Sequence, residues 1–330
     1  MHKKFLSALL LAGFAVLPSA RGEEVSSADL LDAVKGAFGD HPGQRKTHPK
    51  GFCAVGEFVP AKEAKTFSSS ALFTTKKSPV VARFSIAGGN PAAPDGARSP
   101  RGFAVQFKVS PSELVNTATL NVPVYSAKDP ETFLGLLRAL AIDPATGKVD
   151  GAKVNAFREA HPDTLVQAAW LRSNPPPWSY ATARYYSINT FYFVNKAGKQ
   201  QAVRWEWVPE DGLRVLSEEE LASAPPSFLQ ARLLERFQQG PVSWRLEAQF
   251  AEAGDRLDDA TVTWPAERKR VILGKVSLRE AGTDRTGPCD AISFDPTVLG
   301  KRGIKPGNDP IFRARSPAYA LSYGRRLSGQ

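Results

Sequence analysis

Three stretches early in the chain, Phe52–Phe58, Val80–Ile86 and Gly102–Lys108, are rich in β-forming residues and separated by Gly, Pro, Asp and Asn clusters such as the run from Gly88 to Gly96. A later pair is plainer still. Tyr185–Val194 and Gln201–Val208 form two aromatic arms joined by Asn195-Lys-Ala-Gly198, which reads as a hairpin. Further strands are expected at Trp244–Phe250, Thr261–Trp264 and Val271–Leu278. Short strands with tight reversals restrict the first two thirds of the chain to an antiparallel sheet or barrel. Helical segments are inserted and appended, so the class is α+β.

The helices announce themselves through their ends. Ala28–Phe38 is a short amphipathic piece, and Asp129-Pro130 opens a helix through Leu140. Another helix is expected over Ala152–Leu171, before the prolines at 175–177. Ser217-Glu-Glu-Glu220 is a capping box, Pro226–Gln239 is closed by Gly240, and Asp309-Pro310 opens the last helix. No internal repeat is visible.

Met-His-Lys-Lys, an apolar run from Phe5 to Leu17 and a small-residue site at Ala20 and Gly22 read as a secretory signal over residues 1–22, cleaved after Gly22. The run is too short to span a bilayer, and no later stretch is apolar enough to do so. The expectation is an exported protein, periplasmic in a Gram-negative source, with residues 23–330 as one domain and no stable membrane insertion. The net charge of +10 becomes +7 without Lys3, Lys4 and Arg21. No basic block alternates with aromatics, which argues against a nucleic-acid partner.

Several chemistries are excluded by absence. There is no His-x-x-x-His or His/Cys pairing for zinc, no Gly-x-Ser-x-Gly elbow, and no phosphate-binding glycine loop. Cys53 and Cys289 are the only cysteines, and their pairing stays open. Met1 is the only methionine, which suits work with peroxides because methionine is easily oxidised. In the last helix Arg315, Tyr319 and Arg326 fall on one face at 100° per residue. A guanidinium one turn from a phenol favours the phenolate, and tyrosinate is one of the axial ligands proteins offer to ferric haem. The same residues also describe a surface helix with a half-buried Tyr and solvated arginines.

The order of segments decides between these. Arg45-Lys-Thr-His48-Pro is followed by Arg83-Phe-Ser85, then Arg101-Gly-Phe-Ala-Val-Gln-Phe107, then Asn121-Val-Pro-Val-Tyr125 leading into Asp129-Pro-x-x-Phe133. Ser187-Ile-Asn-Thr-Phe-Tyr-Phe-Val-Asn-Lys-Ala-Gly198, Thr261-Val-Thr-Trp-Pro265 and the Arg315–Tyr319 pair complete the series. This series resembles the haem catalases, and more closely the short catalase-related peroxidases. The resemblance implies an antiparallel β-barrel of the catalase type with inserted and C-terminal helices, lacking the extra C-terminal helical domain. It implies haem b, with Tyr319 as the iron ligand and Arg315 keeping it ionised. His48 would be the distal base, Ser85 the partner of its second nitrogen, and Asn121 the amide that orients peroxide. Arg45, Arg83 and Arg326 would pair with haem propionates, and Phe133 would line the access route.

The implied activity is a haem-dependent peroxidase. It would reduce hydrogen peroxide or organic hydroperoxides through a ferryl intermediate, at the expense of a small-molecule electron donor, with weak or no catalase activity. The chain begins close to His48 and stops near Tyr319, so a monomer or small homo-oligomer with an open haem is expected. Thr47 stands where typical catalases carry valine, and its hydroxyl could hold His48 away from its base role. Pro317 should bend the ligand helix. A true catalase, a lipid-hydroperoxide rearranging enzyme and a non-catalytic exported haem-binding protein are the alternatives.

Overall fold

The computed structural model describes residues 24–283 and 287–330; the expected signal segment lies outside them. Within these residues the strands β1 (Gly51–Pro60), β2 (Ser78–Ile86), β3 (Arg101–Ser110) and β4 (Glu113–Leu120) run as an antiparallel meander. Short helices α1 (Ser27–Phe38), α2 (Ala64–Phe67) and α3 (Ala71–Thr74) lie before and between them. Next come α4 (Pro130–Ala139), a small ribbon of β5 (Ile142–Asp143) and β6 (Lys148–Val149), α5 (Gly151–Ala160) and α6 (Asp163–Ser173). The chain then returns through β7 (Tyr185–Tyr186), β8 (Phe191–Val194) and β9 (Gln200–Pro209). Helices α7 (Glu218–Ser223) and α8 (Phe228–Phe237), strands β10 (Val242–Phe250), β11 (Arg270–Thr283) and β12 (Ile304–Pro306), and α9 (Pro310–Leu327) finish it.

Eight strands close a ring in the order β1, β2, β3, β4, β7, β9, β10, β11, with β11 pairing back onto β1 and every pairing antiparallel. A barrel of this size has an interior that side chains alone can fill. Here aromatic rings fill it. The register sets Phe84 between Phe52 and Phe103, and the Phe84 and Phe103 rings stack with centroids 4.7 Å apart. Trp244 lies 5.0 Å from Phe103 and Tyr180 5.1 Å from Phe84. Strand side chains alternate, so the neighbours of these rings point outward. They too are covered, because α1, α4 and α9 pack together outside the barrel wall.

The structure corrects three sequence expectations. The helix expected over Ala152–Leu171 is two helices, broken at His161-Pro162, because a proline disfavours helical backbone in the residue before it. Thr261–Trp264 is not a strand. Asp259 takes the backbone N–H and hydroxyl of Thr261 at 2.8 and 2.6 Å, and Trp264 Nε1 donates to the Arg256 carbonyl at 2.7 Å, so local side-chain bonds replace a ladder. The arm Tyr185–Val194 is interrupted between β7 and β8, where Ile188 adopts φ +54° and Ser187 Oγ takes up the Trp205 N–H at 3.1 Å. Helix α9 continues through Pro317.

The cysteine question is settled: Cys53 and Cys289 form a disulfide across 236 residues of chain. Among the described residues no helix is long and apolar enough to cross a membrane.

Phe103 touches several aromatic neighbours at the barrel centre and is fully buried. Replacing it with alanine is expected to lower unfolding free energy by about 3–5 kcal/mol, measured by chemical denaturation of the purified protein.

Candidate active site

On β2 and β3 the residues flanking the interior phenylalanines face outward. Two rows result: Gly51, Ser85 and Gly102 across β1, β2 and β3, and beside it Cys53, Arg83 and Ala104. Ser85 Oγ lies 3.0 Å from His48 Nδ1. His48 sits in the loop before β1 with φ +57°, a region a non-glycine residue enters only when its surroundings hold it there. Its backbone N–H donates to the Gly88 carbonyl at 2.7 Å, and with Ser85 this holds the residue from both ends. A Cβ on Gly102 would lie 2.5 Å from Ser85 Oγ and 3.1 Å from His48 Nδ1, so only glycine admits the pair. Burial, and then the charges of Arg83, Arg315 and Arg45, push the His48 pKa down to about 3. The imidazole is therefore neutral near pH 7.

Helix α9 brings the second set. Asp309 caps it, its Oδ1 accepting from the N–H groups of Ile311 and Phe312 at 2.9 and 3.3 Å. Its Oδ2 accepts from Asn189 Nδ2 at 2.8 Å, and Asn189 Oδ1 in turn accepts from Arg315 Nη1 at 2.9 Å. Arg315 Nη2 then donates to the Tyr319 hydroxyl oxygen at 3.2 Å. A chain of bonds, rooted in the buried Asp309–Asn189 pair, thus fixes the guanidinium that touches the phenol. Burial pulls the Arg315 pKa down, but the charge and hydrogen bond of Tyr319 outweigh this and leave it above the ordinary arginine value. Tyr125 contrasts: burial pushes its phenol up to about 12, so it is neutral.

His48, Ser85, Arg315 and Tyr319 all line one cavity of about 430 Å³. Arg45, Arg83, Phe133 and Arg326 line it as well. Its apolar walls come largely from α1, α4 and α6, through residues such as Leu30, Val34, Leu137 and Leu171. Arg45 donates to the Cys289 and Ile292 carbonyls at 2.8 and 3.2 Å, and Arg83 to the Pro49 carbonyl at 3.2 Å. Arg326 Nη1 donates to the backbone and side chain of Asp290, while its Nη2 is buried with no hydrogen-bond partner among the described residues. An apolar pocket with a phenol oxygen inside, several guanidinium groups at its edge and an orphaned cationic N–H fits a flat macrocycle bearing carboxylates. Among the described residues no cluster of three or more His, Cys, Asp or Glu could hold a metal, while His48 and the phenols of Tyr125, Tyr319 and Tyr323 line the cavity.

Asn121 stands apart from the other expected site residues. Its Oδ1 accepts from the Arg101 N–H at 2.6 Å, which pins the amide at the head of β3, and it does not line the cavity. Thr47 does line the cavity, but the hydrogen bond at the His48 ring is made by Ser85. Sequence reasoning passed over Asn189, Asp309 as more than a cap, and Gly102. Asn189 had one available signal: an amide within an otherwise aromatic run, where a strand interior has no use for one.

A catalase family model matches residues 33–330 of the chain. The "Catalase-related peroxidase" of Synechococcus elongatus is 45% identical over 305 residues, covering 92% of this chain and 90% of the relative. The protein of the same description from Mycolicibacterium paratuberculosis is 30% identical, covering 88% and 92%. Among solved structures, a fungal catalase superposes with a TM-score of 0.79 at 26% identity, covering 87% of this chain and 60% of that one. Catalase A from Saccharomyces cerevisiae reaches the same TM-score at 24% identity, covering 99% and 68%, and so supports the fold. The family-model match and the two relatives show that this chain belongs to the catalase family.

Proposed function

We propose that this protein is a haem-dependent peroxidase, reducing hydrogen peroxide or organic hydroperoxides with electrons from a small-molecule donor. The observation that carries the reading is the meeting of two pairs, His48–Ser85 and Arg315–Tyr319, in one cavity. The names of the relatives and the haem dependence of the catalase family support it. Bound haem b would supply the iron centre at which the peroxide O–O bond is cut.

The protein's own groups then have defined work. Tyr319 would ligate the iron through its phenol oxygen, and Arg315, held by Asn189, would stabilise that oxygen as an anion. Arg45, Arg83 and Arg326 would pair with the two propionates, Arg326 through its unpartnered Nη2. The role as base requires the tautomer in which His48 Nδ1–H donates to Ser85 Oγ, 3.0 Å away, which leaves the lone pair on Nε2. Nε2 takes the proton of the hydroperoxide and returns it to the departing oxygen, giving water or an alcohol. A base this weak releases the proton readily. The Asn121 Nδ2 remains a donor, its Oδ1 being committed to Arg101.

The apolar side chains of α1, α4 and α6 favour organic hydroperoxides beside hydrogen peroxide and turnover with an external donor over dismutation. We assign the protein to an exported, oxidising compartment; the buried Cys53–Cys289 disulfide supports this, since such bonds persist outside the cytosol.

The decisive measurement is an absorption spectrum of haem-loaded protein. A high-spin ferric spectrum that is lost in Tyr319→Phe is expected; an unchanged spectrum in that variant defeats the ligand assignment. His48→Ala is expected to lower kcat/KM for peroxide by about 10²–10⁴-fold while haem uptake persists. Rapid oxygen evolution without donor oxidation would instead make the protein a true catalase. Wild-type kcat/KM should stay level across pH 5–8 and fall only as pH approaches about 3, where His48 takes up a proton. Gly102→Ala, which displaces Ser85 and His48 without removing either, should cost about 10²-fold in kcat/KM, read in the same steady-state assay.

A further inference from the structure

Residues 287–295 belong to no strand, and Ser293 and Phe294 within them line the cavity. Arg45 holds the carbonyls of Cys289 and Ile292, and its guanidinium lies 6.0 Å from the Phe294 ring centroid. Helix α9 holds three more points. Arg326 binds Asp290, the Tyr323 hydroxyl donates to the Ala291 carbonyl at 3.0 Å, and Ser316 Oγ donates to Asp295 Oδ2 at 2.6 Å. The belt is tied to the barrel at two places. Asn116 on β4 donates to the Ser293 and Asp295 carbonyls at 3.3 and 3.0 Å. At the other end stands the disulfide, whose Cys53 pairs across strands with Arg83. Cys53, Cys289 and Phe294 form a buried cluster against which Tyr319 packs.

We infer that the Cys53–Cys289 disulfide is a positioning device for the cofactor cradle: it pins the 287–295 belt to β1 and thereby sets Arg45, Arg326 and the Tyr319 helix. The inference rests on the haem reading above. The bond joins the row that carries Arg83 to the segment that holds the other two edge arginines, so one covalent link sets the spacing of three cations around a ligand with two carboxylates. A bond serving only global stability would limit the unfolded chain and leave these contacts unmoved once the protein is folded.

The test uses full-length haem-loaded protein and the double variants Cys53→Ala/Cys289→Ala and Cys53→Val/Cys289→Ala. Haem transfer to excess apomyoglobin should speed up about tenfold, the worth of one charge-assisted hydrogen bond. Adding Arg45→Gln should give little further increase, because both changes remove the same restraint. Leu246→Ala, buried in the barrel core on β10, should lower thermal stability without raising the transfer rate. In haem-free protein, amide exchange of residues 287–295 and 316–326 should accelerate in the double variants. The inference is overturned by an unchanged transfer rate, by additivity with Arg45→Gln, or by an equal rise in Leu246→Ala. It also falls if neither double variant folds, since the bond would then serve the whole fold. Wild-type protein that takes up no haem would defeat the proposed function instead, and the exchange measurement would still decide the role of the belt.

Discussion

Alternation along β2 and β3 is the constraint on which the rest of the structure depends. A closed eight-stranded barrel has room inside for side chains and little else, and here Phe84 and Phe103 fill it. Once those rings point inward, Arg83, Ser85 and Gly102 must point outward. Packing the barrel and building the histidine side of the cavity are therefore one act. A shift of register by a single residue would turn the polar row into the core and empty the site.

The cavity gathers several guanidinium groups within one low-polarity space, which is costly unless each is held. The structure holds them with backbone carbonyls and one buried relay. Pro49, Cys289 and Ile292 carbonyls receive Arg83 and Arg45, while Asp309 and Asn189 secure Arg315. The positive surroundings have a chemical consequence. Together with burial, the larger cause, they keep His48 unprotonated, and one of them, Arg315, donates to the Tyr319 hydroxyl oxygen.

Much of this was legible before any coordinates. Strands β1, β2 and β3 of the first meander, the hairpin at Asn195–Gly198 and the cap at Asp309-Pro310 follow from local patterning, and the structure keeps them, whereas β4 carries no such signal. The split of the 151–173 helices was also written in the sequence, at Pro162, though the apolar pattern on either side masked it. Thr261–Trp264 misled because its β-branched residues satisfy strand propensity, whereas Asp259 captures the backbone first. At the site, Tyr319, Arg315, His48 and Ser85 were nameable only through the resemblance that the ordered segments carry together, not from any one motif. Asn189 was not, because its partners lie 120 and 126 residues away in the chain.

By itself the sequence determined which residues alternate and where helices start, since these depend on neighbours within a few positions. Only the tertiary structure decided that the two cysteines join, that Asn121 turns its oxygen to Arg101, that Gly102 must lack a side chain, and that Arg326 keeps one N–H unpaired. Those features arise where segments distant in sequence press together, and the closure of the barrel sets the distances between them.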